Sequence, residues 1–368
     1  VNETVRFGRI AGIPVGAHWS VLLMVLIISD VLATSALPEL VPGHGAAAYW
    51  LTGVLTAIAF VASLLAHELA HALTARRFRL PVQRITLWML GGVSVFGSEP
   101  KTPRAAFLIA GAGPAMSFVL GVLGGAAGIG LRSADAPDLL LSSVLWLAVM
   151  NVVLGLFNLL PGLPLDGGRV LRALLWHWYG DADRATAVAS VAGRVVGGVA
   201  GAAGVLQLVT GDPGGFWLIA VGYVIVLAAI GEGAQARARR MTAGHLMRTA
   251  EATGSTSTPV DQFIGQVLGS QELVFPVVGP DGGVAGLVSV GQLAAVPPDN
   301  RSTTTLGAVL VPLQRIPVVG PRTPLAELRQ LLPNAEDIAV VFDGPRLAGL
   351  ITGYDLVRAT DHELPNKH

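Results

Sequence analysis

Two histidines, His67 and His71, flank Glu68 in the run His67-Glu68-Leu69-Ala70-His71. On a helix, residues four apart share a face, so both imidazoles can offer a nitrogen to one cation such as Zn²⁺. Glu68 then stands beside that cation and can take a proton from a metal-bound water. This is the chemistry of metal-assisted hydrolysis. The chain has no cysteine, which excludes thiolate zinc sites, thiol catalysis and disulfides. Any metal must therefore be held by histidine and carboxylate. A catalytic zinc takes three protein ligands and keeps one position open. The best third candidate is Asp166, in the segment Asn158-Leu-Leu-Pro161-Gly162-Leu-Pro164-Leu-Asp166-Gly167-Gly168. Two prolines and three glycines make that segment irregular, as is tolerated at membrane depth where backbone lines a cavity or packs within protein.

The setting of these residues is apolar. Hydrophobic residues make up 52% of the chain and charged ones 13%, with a net charge of zero. That composition departs from a soluble average and gives no electrostatic footprint for nucleic acid. The motif's flanks, Leu51 to Leu65 and Ala72 to Ala75, are almost wholly apolar, and ionisable groups are costly at bilayer depth and mark function there. Six stretches are long enough to cross a membrane: Val15–Leu37, Ala47–Ala75, Arg104–Leu131, Leu139–Leu160, Ala185–Val209 and Phe216–Gly231, with a short helix at Val170–Tyr179. Gly193, Gly197, Gly198 and Gly201 point to close helix packing.

Basic residues set the orientation. Arg6 and Arg9 precede the first span, Arg76, Arg77, Arg79, Arg84, Lys101 and Arg104 lie between the second and third, Arg169, Arg172 and Arg184 follow the fourth, and Arg237, Arg239 and Arg240 follow the sixth. The opposite loops carry only Arg132. Both termini are then cytoplasmic. His67 falls about 27 Å along the second span from Tyr49, which places the metal towards the cytoplasmic side and requires a polar path for water.

Two motifs in this order, His67–His71 and the Asn-x-x-Pro-x-x-Pro-Leu-Asp-Gly element Asn158–Gly167, resemble the site-2 protease family of intramembrane metalloproteases. The resemblance implies His67, His71 and Asp166 as zinc ligands, Glu68 as catalytic base and Asn158 as a group near the scissile peptide. The bland alternative for Asn158 is a helix-end cap. Leu87-Trp-Met-Leu-Gly-Gly-Val93 resembles the family's sheet-like segment, whose edge could receive an unwound substrate as an added strand. Gly111-Ala-Gly113-Pro114-Ala-Met-Ser117 resembles its Gly-Pro motif, with Ser117 where an asparagine is expected. The implied substrate is a transmembrane segment of another, membrane-anchored regulatory protein, in the plasma membrane of a bacterium.

From Met241 the chain reads as soluble and contains a repeat. Val274–Ser289 and Ile338–Thr352 each read as strand, tight turn, strand, preceded by amphipathic helices at Val260–Leu268 and Leu325–Leu332 and followed by short helices at Val290–Ala295 and Tyr354–Ala359. This repeat resembles a tandem cystathionine-β-synthase (CBS) domain pair. Gly349-Leu-Ile-Thr352-Gly-Tyr-Asp355 matches that family's nucleotide motif, in which the hydroxyl meets phosphate and the acid meets ribose. The first unit has Gln292 in place of the acid. The resemblance implies an adenine nucleotide at Thr352 and Asp355 as a gating ligand, and a homodimer formed through the pair. The alternative for Thr352 and Asp355 is a turn and helix start.

The expected fold is an α-helical polytopic membrane protein of about six transmembrane helices with a short β segment after helix two, over residues 1–235. A cytoplasmic α/β CBS pair follows over residues 236–368. The expected function is an intramembrane zinc metalloprotease. A CBS-regulated cation transporter or channel would use the same four polar residues to bind cargo, although residues 1–235 lack the repeated halves such folds show. A catalytically silent zinc-binding membrane protein is the third reading, and an intact Glu68 argues against it.

Overall fold

The computed structural model describes residues 3–89, 91–250 and 252–361. Leu90, in the sheet-like segment singled out above, lies outside them. The chain divides into two compact units, Val1–Gly233 and Ala234–His368.

Among the described residues of the whole chain, six helices are long and apolar enough to cross a membrane. They are α1 (Ser20–Leu40), α2 (Ala46–Arg77), α3 (Pro103–Ser133), α4 (Asp138–Asn158), α6 (Ala182–Val209) and α7 (Gly215–Arg240), with the shorter α5 (Asp166–Tyr179) between the fourth and fifth spans. Their most apolar windows are only 22–39% buried. Large apolar side chains such as Val122 and Ile129 stand outward, more than two-thirds exposed, as lipid contact requires and water would not favour. The buried faces are built from small residues, for example Gly53, Ala57, Ala72 and Ala75 on α2. Of the four glycines expected at a helix contact, Gly193 lies against the Leu163 carbonyl, Gly197 against the Gly222 carbonyl and the Gly201 backbone against Gly222, while Gly198 faces open space.

The first expected span begins too early. Residues 13–17 form a strand, and helix α1 starts at Ser20. Strands β1 (Val5–Ile10) and β2 (Ile13–Ala17) make an antiparallel hairpin across Ala11 and Gly12, both at positive φ, the turn geometry that matches strand twist. Strand β2 then pairs in parallel with β3 (Val82–Trp88), Val15 opposite Ile85, and β3 pairs antiparallel with β4 (Gly91–Phe96). The sheet order is β1-β2-β3-β4. Ile13, Val15 and Ile85 pack on Ala72 of α2, and Ala17 and Leu87 pack with Leu64 of the same helix. The sheet therefore grips α2 on both sides of the His67–His71 turn.

The second unit is a pair of similar α/β sub-units. In the first, β5 (Gly254–Ser255), β6 (Val274–Val278), β7 (Val284–Ser289) and β8 (Val311–Pro312) form one sheet in that order, with α8 (Val260–Val267) and α9 (Val290–Ala295) beside the strands. In the second, β9 (Val318–Val319) and β10 (Ile338–Asp343) are parallel, β11 (Arg346–Thr352) is antiparallel to β10, and α10 (Leu325–Leu331) and α11 (Gly353–Asp361) complete it. Phe263, Phe275 and Val288 centre one core; Leu325, Leu328, Val341 and Ile351 centre the other. The strand-turn-strand repeats and their flanking helices match the sequence expectation.

Candidate metal centre

Helix α2 brings the Nε2 atoms of His67 and His71 to 3.2 Å of each other. Asp166, the first residue of α5, places Oδ2 at 3.1 Å from each. The loop before it is anchored by Leu163, fully buried, whose N–H donates to the Ala189 carbonyl. A turn then closes from Leu165 N–H to Gly162 O, and Arg169 N–H to Leu165 O begins the helix. The carboxylate thus stands in the first turn of a helix, where the backbone dipole favours negative charge. All three side chains are at least nine-tenths buried, and their ligand atoms lie within 4.8 Å of one another.

The surroundings fix what these atoms can do. Nδ1 of His71 lies 2.6 Å from the Ile109 carbonyl, which only accepts, so in the neutral ring the hydrogen sits on Nδ1 and Nε2 presents a lone pair. That lone pair faces a carboxylate oxygen. Nδ1 of His67 is 2.9 Å from the hydroxyl of Ser117, itself fully buried. Nitrogen and oxygen lone pairs converging in a dry site repel unless a cation joins them. Two imidazoles and one carboxylate fit zinc with an open fourth position, and the groups on the far side of each ring are the supports such ligands need.

Gly113 of α3 makes this closeness achievable, because a Cβ there would stand 2.5 Å from Nε2 of His67 and overlap the His71 ring. Glu68, half-buried on the neighbouring face of α2, accepts a hydrogen bond of 2.7 Å from the Ser94 hydroxyl of β4. Asn158 closes α4 and donates from its side chain to the Leu154 carbonyl of its own helix at 3.0 Å.

Three participants were not singled out from sequence as partners of the site. Ile109 acts through its main chain and leaves no side-chain signal. Ser94 lies one residue beyond the Leu87–Val93 segment, and only the fold brings it to Glu68. Ser117 was noted as a departure from asparagine, and the structure gives it a partner in His67. Outside the site, His18 bonds Ser20 Oγ at 2.8 Å and tilts against the Trp19 ring. His177 is exposed on α5.

In the second unit, Thr352 and Asp355 are brought together at the junction of β11 and α11. Asp355 Oδ2 accepts from the Thr352 N–H at 3.0 Å and from its hydroxyl at 2.7 Å, and Thr352 Oγ1 accepts from Asp355 N–H at 3.3 Å. The Arg248 guanidinium takes the other carboxylate oxygen. Ser289 and Gln292 make the same reciprocal cap at the start of α9. The turn-and-helix-start reading therefore describes both repeats.

The spans and the His-His-Asp constellation define a polytopic membrane protein with a buried group of side chains that could hold a metal. The model of peptidase family M50 matches residues 55–135 and 123–197, a range holding every residue of that centre. Rip3 of Mycobacterium tuberculosis, named as a zinc metalloprotease, is 42% identical over 98% of this chain and 94% of its own. The chain belongs to peptidase family M50, the site-2 protease family of zinc metalloproteases. The site-2 protease of Methanocaldococcus jannaschii is 26% identical, with a TM-score of 0.42 over 62% of this chain and 94% of that one. CBS domains of a transcriptional regulator from Streptococcus pneumoniae are 20% identical, with a TM-score of 0.27 over 32% of this chain and 98% of that one.

Proposed function

We propose that this protein is an intramembrane zinc endopeptidase that cuts transmembrane segments of membrane-anchored regulatory proteins. The observation that carries the reading is the meeting of His67 and His71 of α2 with Asp166 of α5, with Glu68 on the same turn of α2. Zinc held by these three side chains would supply a Lewis acid that polarises the scissile carbonyl and acidifies water. Glu68 takes the proton of the attacking water and delivers it to the leaving amine. Asn158 lies at the end of α4; its side-chain amide has two N–H donors, of which the Leu154 carbonyl takes one, and the other can meet the peptide. Strand β4 ends the sheet, so an unwound substrate adds there as a further strand, which exposes a peptide bond that a helix would shield. The one-sided placement of arginines supports cytoplasmic termini and a site reached by water from that side.

For regulation, the reading is an adenine nucleotide bound to the second unit at Thr352 and Asp355, with the two units acting as domains bounded near residue 235. A nucleotide must displace the internal cap and Arg248 from Asp355. Calorimetry of the full chain with ATP, ADP and AMP tests this, and silence for all three ends the nucleotide reading. For the protease, detergent-purified wild type and Glu68→Gln are incubated with tagged single-pass substrates while zinc is quantified in both. Cleavage by wild type alone, at equal zinc, is the expected result; cleavage by the Gln variant removes Glu68 as base.

A further inference from the structure

Strand β4 lies directly over the glutamate of the metal-binding turn. Its residues 92 and 94 are two apart and share a face of the strand, and both meet Glu68. The Ser94 hydroxyl donates to Oε2 at 2.7 Å, a tertiary bond between residues 26 apart in sequence. At Gly92, a Cβ would stand 2.7 Å from Glu68 Cδ and nearer still to Cγ, so only glycine lets the glutamate stem pass beneath the strand. Register fixes this arrangement: Gly92 pairs with Leu87 and Ser94 with Ile85 of β3, whose buried side chains hold that strand on α2. Val93, between them, points the other way and is exposed.

A glutamate has three side-chain torsions, and an unheld carboxylate samples several rotamers. The bond from Ser94 occupies one lone pair of Oε2 and fixes the plane of the group. Oε1 takes no hydrogen bond from the described residues, so it is left to accept a proton. We propose that Ser94 is a positioning residue for Glu68, and that the terminal strand of the sheet thereby sets the base as well as offering an edge to substrate. This inference rests on the endopeptidase reading and deepens it. It ties two events to one strand. A peptide paired on β4 is aligned beside residues 92–94, and the same residues aim the carboxylate that must act on it. Misplacement of a catalytic group by about 1 Å can cost a factor of about 100 in rate, so a single hydroxyl in this position carries weight in kcat without touching the substrate.

The experiment compares wild type, Ser94→Ala and Ser94→Thr as full-length, zinc-loaded protein in detergent. Threonine keeps the hydroxyl on a side chain suited to a strand. Ser94→Ala lowers kcat by about 10- to 100-fold with KM and zinc content unchanged, and Ser94→Thr recovers most of the loss. Wild-type kcat in Ser94→Ala overturns the proposal, as does a threonine variant as impaired as alanine. Infrared difference spectra against Glu68→Gln isolate the Glu68 carboxylate stretch without any substrate. Ser94→Ala shifts that band and Ser94→Thr returns it; an unmoved band overturns the contact itself. If the band shifts as expected while wild type cuts nothing, the endopeptidase reading fails and the Ser94–Glu68 contact stands.

Discussion

The hydroxyl of Ser117 lies 2.9 Å from Nδ1 of His67 in a fully buried position. It plays for His67 the part that the Ile109 carbonyl plays for His71. The two supports differ in kind. A carbonyl only accepts and therefore fixes the tautomer of His71, whereas a hydroxyl can accept or donate and leaves His67 either tautomer. Only the Nδ1–H form of His67 turns a lone pair towards Asp166, so a cation between the three side chains selects it.

Removing that support has a measurable consequence. Ser117→Ala leaves the ring nitrogen without a partner in a dry site, and loss of such an outer contact typically weakens metal binding by about 10- to 100-fold. Chelator competition on purified protein reads the change directly. Unaltered affinity would show that helix packing alone orients the ring.

Gly113→Ala tests how closely α3 must approach the centre. Alanine is the better helix former, so lost helix propensity cannot explain a defect. Its Cβ would meet both imidazoles, and the expected result is a large fall in bound zinc with helical content by circular dichroism retained. A fully zinc-loaded alanine variant would mean that α3 can withdraw without harm to the site.

The parts of this architecture legible in sequence were those that local spacing determines. His67 and His71 are one helical turn apart, and Asp166 sits in a segment too rich in proline and glycine to be ordinary span. The hairpin of β1 and β2 was not legible, because Val15 and Ala17 come just before the apolar residues of α1 and read as its first turn. Their strand character comes from pairing with Ile85 and Leu87 some seventy residues on, a contact that leaves no trace in a local window. The short helix before α6 begins at Asp166 rather than Val170, since Gly167 and Gly168 masked its start. Thr352 and Asp355 were legible as a pair, and the structure shows them in the helix-start arrangement.

That cap makes a prediction about stability. Asp355 is a buried carboxylate satisfied by Thr352 and Arg248. Asp355→Ala removes the reciprocal cap of α11 and should destabilise the second unit by about 0.5–2 kcal/mol, seen as an earlier thermal transition by calorimetry. Arg248 is half exposed, so its own truncation should cost less because solvent already screens the pair. Equal losses for the two variants would show that the ion pair, not the cap, holds the junction.

Glu68 and Asp166 should separate binding from chemistry. Asp166→Ala takes away one of three converging ligands and leaves two imidazoles too few to hold zinc tightly. Bound metal should fall sharply, and added zinc should restore little activity. Glu68→Gln leaves all three ligands in place and keeps an acceptor oxygen for Ser94, so zinc content should match wild type while peptide cleavage is lost. Metal analysis beside a cleavage assay distinguishes the two variants. Chelation of the wild type should reproduce the Asp166→Ala defect and be reversed by zinc, as expected if Asp166 acts by holding the ion. If Asp166→Ala keeps its zinc, the carboxylate is no ligand, and the third position must be filled from elsewhere around the α2 turn.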